Sequence, residues 1–308
     1  MITRALLRTK AAQVLYAGFL ADNNWKAIDN ELIFSINKYY NLYHLLLLLP
    51  LEIVKTARKR IQISLKKHIK SEENLKQDTK LSENLYAAQL SKNRNLLDYA
   101  EKNAVTWLPY QKEVLKVFNI LQNSDFYKKY IDLEENSFET DKNFWIEFYK
   151  SKEIFDESFD EFLEEVSIYW LDEEALIRSF IVKTINSHRK NDDGDDKLLP
   201  LFKDVEDKKF VSELVRAVYE NNEQYNLLIN SFLRNWQVGR LTKMDVILLK
   251  MAIAEIELFP EVPVRVTINE YIEISKYYGT EKSSGFINGV LDNFVKQMKD
   301  SGNLRKDT

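Results

Sequence analysis

Apolar positions along the chain recur at three- and four-residue intervals rather than in alternation, the spacing that lays one face of a helix against a core. Over residues 3–21, Ala5, Ala12, Leu15, Tyr16 and Phe19 share such a face, with Arg4, Arg8 and Lys10 expected on the surface. Residues 25–70 predict two further helices, with the apolar run Leu45–Leu49 followed by Pro50. Residues 71–106 are polar and weakly patterned, which predicts an exposed helix with connections. The stretch "WLPYQKEVLKVFNILQNSDFYKKYI" predicts one helix begun near Pro109, and Phe155, Phe159, Phe162, Val166 and Tyr169 keep helical spacing opposite an acidic side. The run "NDDGDDKLLP", residues 191–200, reads as an exposed loop. Beyond it, helices are predicted at about 206–220, 222–236 and 243–258, followed by a final pair. In 243–258, Val246, Leu249, Ala252, Ile253 and Ile256 give the wide apolar face of a central buried helix, and Thr242 followed by Asp245 marks its start.

Composition agrees with an all-α fold. Seven glycines and five prolines in 308 residues are few for a sheet protein with its tight turns. Hydrophobic residues make up 45% and charged residues 30%, an ordinary soluble balance. The chain has no cysteine, which excludes disulfides, thiolate metal sites and cysteine nucleophiles. The N-terminus lacks the apolar region of a secretory leader, and Leu45–Leu49 falls far short of the ~20 residues of a membrane span. A cytoplasmic protein is expected.

A net charge of −4 and a pI of about 5.7 disfavour general coating of polyanions but leave room for a local basic patch. Lys55, Lys59, Lys66 and Lys70 recur close to one face, either a solvated stripe or a surface that tracks RNA. The carboxylates Asp156, Asp160, Glu161, Glu164 and Glu165 invite a metal, but the Glu-x-x-His motifs of bundle metal sites are missing, so a solvated acidic face is expected. There is no glycine-rich phosphate loop, nucleophile elbow or zinc-protease motif. The residues therefore predict a binding or assembly protein, with no cofactor and no enzymatic site.

The stretch "VRVTINEYIEISKYYGTEKSSGFINGVLD", residues 264–292, holds three of the seven glycines. Thr267 and Glu270 match a capping box at a helix start. Gly279 fits a left-handed helix stop, and Ser283 or Ser284 the next N-cap. Gly285 and Gly289 lie four apart on the last helix, which suits close packing of a neighbouring helix or the approach of a ligand.

These residues resemble the C-terminal signature of the bacterial transcription antitermination factor NusB family. Ile268, Asn269, Glu270, Gly279, Ser283 and the run Phe286 to Asp292 match that signature as they stand. "MDVILLKMAIAEIELFPEVP" is similar to the family's central helix and "RTKAAQVLYAGFL" to its first, so the resemblance covers about residues 3–22 and 205–298. It implies an all-α fold of two helical subdomains. It also implies a non-enzymatic factor that binds the single-stranded boxA element of ribosomal RNA leader and spacer transcripts. A NusE-type small-subunit ribosomal protein is the implied partner, within an RNA polymerase elongation complex.

Carried over by position, the resemblance places Arg4, Arg8, Gln13, Lys282 and Phe286 at RNA, and Tyr16 and Asp245 at the protein partner. Ala5 and Leu6 stand where the family often has further arginines, and Lys282 where it often has an acid. The implied organisation is a first helix in 1–24, a helical insertion or extra domain in 25–204, a C-terminal core in 205–298 and a tail in 299–308. The basic stripe at Lys55–Lys70 and the acidic one at Asp156–Glu174 are opposite in sign and suit mutual pairing or separate docking faces. Two alternatives were weighed: a protein-only scaffold of the same fold, and the NusB-like part of an RNA methyltransferase. The latter lacks its glycine-rich cofactor loop and catalytic cysteine.

Overall fold

The computed structural model of the chain describes residues 1–67, 79–134, 136–170, 174–190, 197–233 and 241–304. Lys70, Asn191–Asp196 of the acidic loop, Trp236 and the side chain of Lys66 lie outside the described residues. The helices are α1 (Arg4–Leu20), α2 (Trp25–Lys67), α3 (Leu85–Leu90), α4 (Arg94–Lys102), α5 (Gln111–Asn123), α6 (Asp125–Asp132) and α7 (Phe138–Lys150). They continue as α8 (Glu157–Val166), α9 (Glu174–Ser187), α10 (Val205–Glu220), α11 (Asn222–Phe232), α12 (Lys243–Leu258), α13 (Val264–Tyr278) and α14 (Ser283–Asp300). Among the described residues the fold is all-α, apart from an isolated parallel bridge between Ile2 and Phe202. The chain forms two compact units, Met1–Ile36 with Leu201–Thr308, and Asn37–Pro200.

In the first unit, α12 is the hub. Thr242 caps it by accepting from the Asp245 N–H at 3.0 Å. It packs against α1, α10, α11, α13 and α14, so a helix that reads as apolar nearly all round is enclosed by its neighbours. Of the charged residues buried in this unit, Glu255 is the most deeply enclosed. Glu255 on α12 is fully buried and accepts four hydrogen bonds: from Arg8 Nε and Nη2 on α1 at 2.8 and 2.7 Å, and from Thr267 and Tyr271 on α13 at 2.8 and 2.9 Å. Arg8 is itself only 2% exposed, and its Nη1 lies 3.4 Å from Glu270. Burial alone would lower the Arg8 pKa, but the hydrogen-bonded, charged Glu255 outweighs it and raises the value. A buried carboxylate costs several kcal/mol unless fully paired, and this arrangement supplies that pairing from two neighbouring helices at once.

Two expectations are corrected here. Arg8 and Lys10 were expected on the surface; both are buried, because α1 is packed by both α10 and α12. Thr267 and Glu270 do not form a capping box. The helix α13 begins at Val264, one turn earlier, and the Thr267 hydroxyl is spent on Glu255.

In the second unit, α2 runs unbroken through Pro50, where two helices were expected. A proline inside a helix removes the bond from its own N–H to the carbonyl four residues back, here that of Leu46. That carbonyl accepts from the Tyr149 hydroxyl at 2.6 Å, and the preceding one, of Leu45, accepts from Trp107 Nε1 at 2.6 Å. Complete burial pushes the Tyr149 pKa well above the ordinary phenol value, so the hydroxyl stays a donor. The residues around the proline are buried, and tertiary partners replace the missing helical bond.

Elsewhere in this unit the polar stretch expected to be exposed contributes Leu81, Tyr86, Leu90 and Leu96 to the core. The helix expected from Pro109 onward breaks at Ser124, which is extended and caps α6 by accepting from the Tyr127 N–H. His44 and His188 are packing residues: His44 stacks on Tyr99 at 3.7 Å, with burial pulling its pKa down to about 4, and His188 Nδ1 pairs with the Tyr86 hydroxyl at 3.0 Å.

Three substitutions test these arrangements by urea denaturation. Tyr149→Phe should lower stability by about 1–3 kcal/mol, the cost of leaving the Leu46 carbonyl buried and unpaired. Arg8→Ala should cost about 3–5 kcal/mol by stranding Glu255, whereas Arg4→Ala, part of a partly exposed pair, should cost about 1 kcal/mol or less.

Candidate nucleic-acid interface

The turn between α13 and α14 is built by close approach. The Gly279 N–H donates to the Ser275 carbonyl at 2.9 Å, and a Cβ on Gly279 would fall 2.6 Å from that oxygen and from the Ser283 side chain. Its φ of −103° is extended rather than left-handed, so the expected left-handed stop is corrected: glycine is needed here for space, not for handedness. The Ser283 hydroxyl accepts from the Thr280 N–H at 2.7 Å, and Ser275 and Ser284 hydroxyls meet at 3.0 Å. Neither serine is the N-cap expected from the sequence; α14 follows Lys282, which provides no side-chain cap.

This compact turn leaves Lys282 exposed, with no ion pair among the described residues. Gly285 and Gly289 were expected to admit either a packed helix or an approaching ligand. Among the described residues nothing lies within 4 Å of a Cβ at either, so they present bare helix backbone there. They share a cavity of about 490 Å³ with Lys282, the half-buried Phe286, and Phe232 and Leu233 at the end of α11. The site is therefore an apolar, glycine-floored groove with one lysine at its mouth and the carboxylate of Glu281 beside it. Its chemistry suits a planar apolar group laid against Phe286, with a phosphate near Lys282.

Just before the turn, Tyr277 is 84% exposed and Tyr278 39% exposed. Gln13 Nε2 on α1 donates to the Tyr278 hydroxyl at 2.9 Å, which joins α1 to this aromatic edge. The two tyrosines were not among the residues singled out from sequence, although "YYG" at a helix stop was the available signal: two aromatics in succession cannot both face the core of a helix.

The remaining candidate residues are placed differently. Arg4 is half-buried, 2.9 Å from Asp207 and 3.4 Å from Glu261, with its guanidinium 4.8 Å above the Phe210 ring. Arg8, expected to contact RNA, is enclosed with Glu255, and its guanidinium lies 5.2 Å from the centre of the same ring. Tyr16 is half-buried on α1. Asp245, expected at the protein partner, is 4% exposed, and its Oδ1 has no hydrogen-bond partner among the described residues. The structure thus gathers Lys282 and Phe286 in one groove, ties Gln13 to Tyr278, and commits both arginines to carboxylates.

No group of three or more His, Asp or Glu side chains among the described residues is placed to hold a metal ion. No helix among them is long and apolar enough to cross a membrane.

The family model for the NusB family matches residues 175–296, which begins ahead of the motif resemblance at 205. The transcription antitermination protein NusB of Geobacter sulfurreducens is 39% identical over 95 residues, 31% of this chain and 69% of that protein. The protein of that name from Geotalea daltonii is 35% identical over 136 residues, covering 44% of this chain and 90% of the relative. The one from Listeria monocytogenes is 43% identical over 90 residues, 29% of this chain and 70% of the relative. A solved structure of T. maritima NusB is similar over 32% of this chain and 70% of that one, at 36% identity and a TM-score of 0.30. Relatives named as transcription antitermination proteins thus match the chain over part of its length while most or much of their own length is covered, and the chain belongs to the NusB family.

Proposed function

We propose that the protein is a non-enzymatic, cytoplasmic RNA-binding antitermination factor. Its RNA is a boxA-type single strand of ribosomal RNA leader or spacer transcripts. It binds that strand together with a NusE-type ribosomal protein and acts on the RNA polymerase elongation complex. The observation that carries this reading is the α13–α14 turn, where Lys282 and Phe286 line an open groove with Gly285 and Gly289, and the exposed Tyr277 and Tyr278 stand just ahead of the turn. Single-stranded RNA is held by aromatic side chains that stack on splayed bases and by cations near the backbone. Arg4 adds a partly neutralised charge, and Gln13 braces the tyrosine edge.

Arg8 acts inside the core rather than at RNA. Asp245 is buried at the start of α12, which leaves Tyr16 as the contact proposed for the protein partner. Residues 1–24 and 205–298 form the NusB-like part, 25–204 the added helical segment and 299–308 a tail.

The commitment of both arginines to carboxylates favours one second reading, a scaffold that binds only protein. A titration of boxA-type RNA with and without the partner separates the two. The proposal expects affinity that rises with the partner and falls with added salt. Phe286→Ala and Tyr277→Ala should each weaken binding by about tenfold, from stacking worth about 1–3 kcal/mol per base. Absence of RNA binding with the partner present would leave the scaffold reading in place.

A further inference from the structure

The compact unit Asn37–Pro200 carries a surface that neither its own core nor the RNA-facing groove explains. Two 3₁₀ turns, Leu108–Tyr110 and Ile168–Trp170, hold large aliphatic side chains out to water: Leu108 is 73% exposed and Ile168 71%. These turns are firmly anchored. Trp107 Nε1 donates to the Leu45 carbonyl at 2.6 Å and Trp170 Nε1 to the Lys38 carbonyl at 2.8 Å. Phe162 of α8 stacks on Trp107 at 5.9 Å and meets Tyr110 edge-on at 5.4 Å. Pro109 and Tyr110 of one turn and Trp170 of the other line a single cavity of about 180 Å³, together with Val166 at the end of α8. A lone exposed leucine needs no explanation, but two large aliphatic side chains, Leu108 and Ile168, on fixed turns that border one hollow form a patch.

The charge along α8 is mostly negative, although Lys116 of α5 bonds Ser158 near its start at 2.7 Å and Lys38 lines the hollow. On α8, Glu157, Glu161 and Glu165 follow at four-residue steps, with Asp160 and Glu164 alongside, and all five are exposed. None of the four glutamates has an ion pair among the described residues. Like charges at that spacing destabilise a helix by about 0.2–0.5 kcal/mol per pair. Glu164 and Glu165 stand in the last turn, at the negative end of the helix dipole, with no basic residue there to offset them. The last turn of the helix therefore keeps an arrangement that works against its stability, directly beside Val166 and Ile168.

We propose that this face docks a cationic, amphipathic polypeptide segment of a partner protein. A large apolar side chain of that segment would seat between Leu108 and Ile168, and its lysines or arginines would lie along α8. Charge complementarity selects that occupant: a nucleic-acid backbone is repelled by five adjacent carboxylates, and an uncharged apolar peptide leaves them unrelieved.

The test uses the full chain and a fluorescein-labelled amphipathic peptide of lysine and leucine, followed by fluorescence anisotropy, with oligolysine and a single-stranded oligouridine RNA as comparison probes. Two variants are compared with the unaltered protein, Leu108→Ser/Ile168→Ser and Glu161→Lys/Glu164→Lys/Glu165→Lys. All five positions are exposed, so both variants should retain helical circular dichroism; Leu108→Ser and Glu164→Lys alone serve if a combined variant melts lower. The expected result is peptide binding that each variant weakens by about tenfold, a change of about 1.4 kcal/mol, with much weaker binding of oligolysine. Equal affinity in all three proteins would overturn the proposal, as would no peptide binding. A loss confined to the charge-reversal variant would mark simple ionic attraction and overturn it too. Oligouridine binding lost on charge reversal would assign the face to RNA instead.

Discussion

A single buried carboxylate sets the terms for the NusB-like unit. Glu255 lies on the helix that every neighbour touches, and it is tolerable there only because Arg8, Thr267 and Tyr271 all converge on it. Removing water from two charges costs more than most pairs return, so the arrangement holds only when every partner is in place. It therefore fixes the positions of α1, α12 and α13 together, and with α13 it fixes where the turn to α14 begins. The same pairing takes Arg8 out of the set of residues available to a ligand. A basic N-terminal run becomes, in three dimensions, one core arginine and one arginine held between Asp207 and Glu261.

What remains for recognition is aromatic and backbone chemistry. Gly279 permits a turn too close for any Cβ, and that closeness leaves Lys282 and the glycine face of α14 open. A groove of this kind offers stacking and a little charge rather than a dense cationic track. That balance agrees with a chain whose net charge is −4 and whose RNA binding is proposed to depend on a protein partner. The other compact unit solves a different problem. Its aromatic core lends a hydroxyl and an indole to the carbonyls around Pro50 and keeps one helix continuous.

The residues alone made the helical class legible, because helical spacing is a local property that burial reinforces. The centrality of 243–258 was readable for the same reason: its apolar face is too wide for a surface helix. What sequence could not show depended on distant partners. The capping-box pattern at Thr267 was genuine as a pattern, yet the hydroxyl met Glu255 from another helix and the helix started earlier. Two helices were expected over residues 25–70 where one runs through Pro50, because the support from Tyr149 lies about a hundred residues along the chain, a separation no local rule registers. Phe286 and Lys282 were found through the family resemblance, and Tyr277 and Tyr278 were passed over because exposure cannot be read from type. Arg8 was misplaced because a cation beside polar neighbours looks like surface until its carboxylate is located.

The central claim is that this chain keeps Arg8 for its core and meets RNA through the α13–α14 turn. Nitrogen-15 NMR of the full chain with its protein partner, during addition of boxA-type RNA, tests it directly. The account predicts that backbone amides from Tyr277 to Phe286 shift while the Arg8 Nε–H resonance stays unmoved. An Arg8 Nε–H signal that moves with RNA while the turn stays still would contradict it.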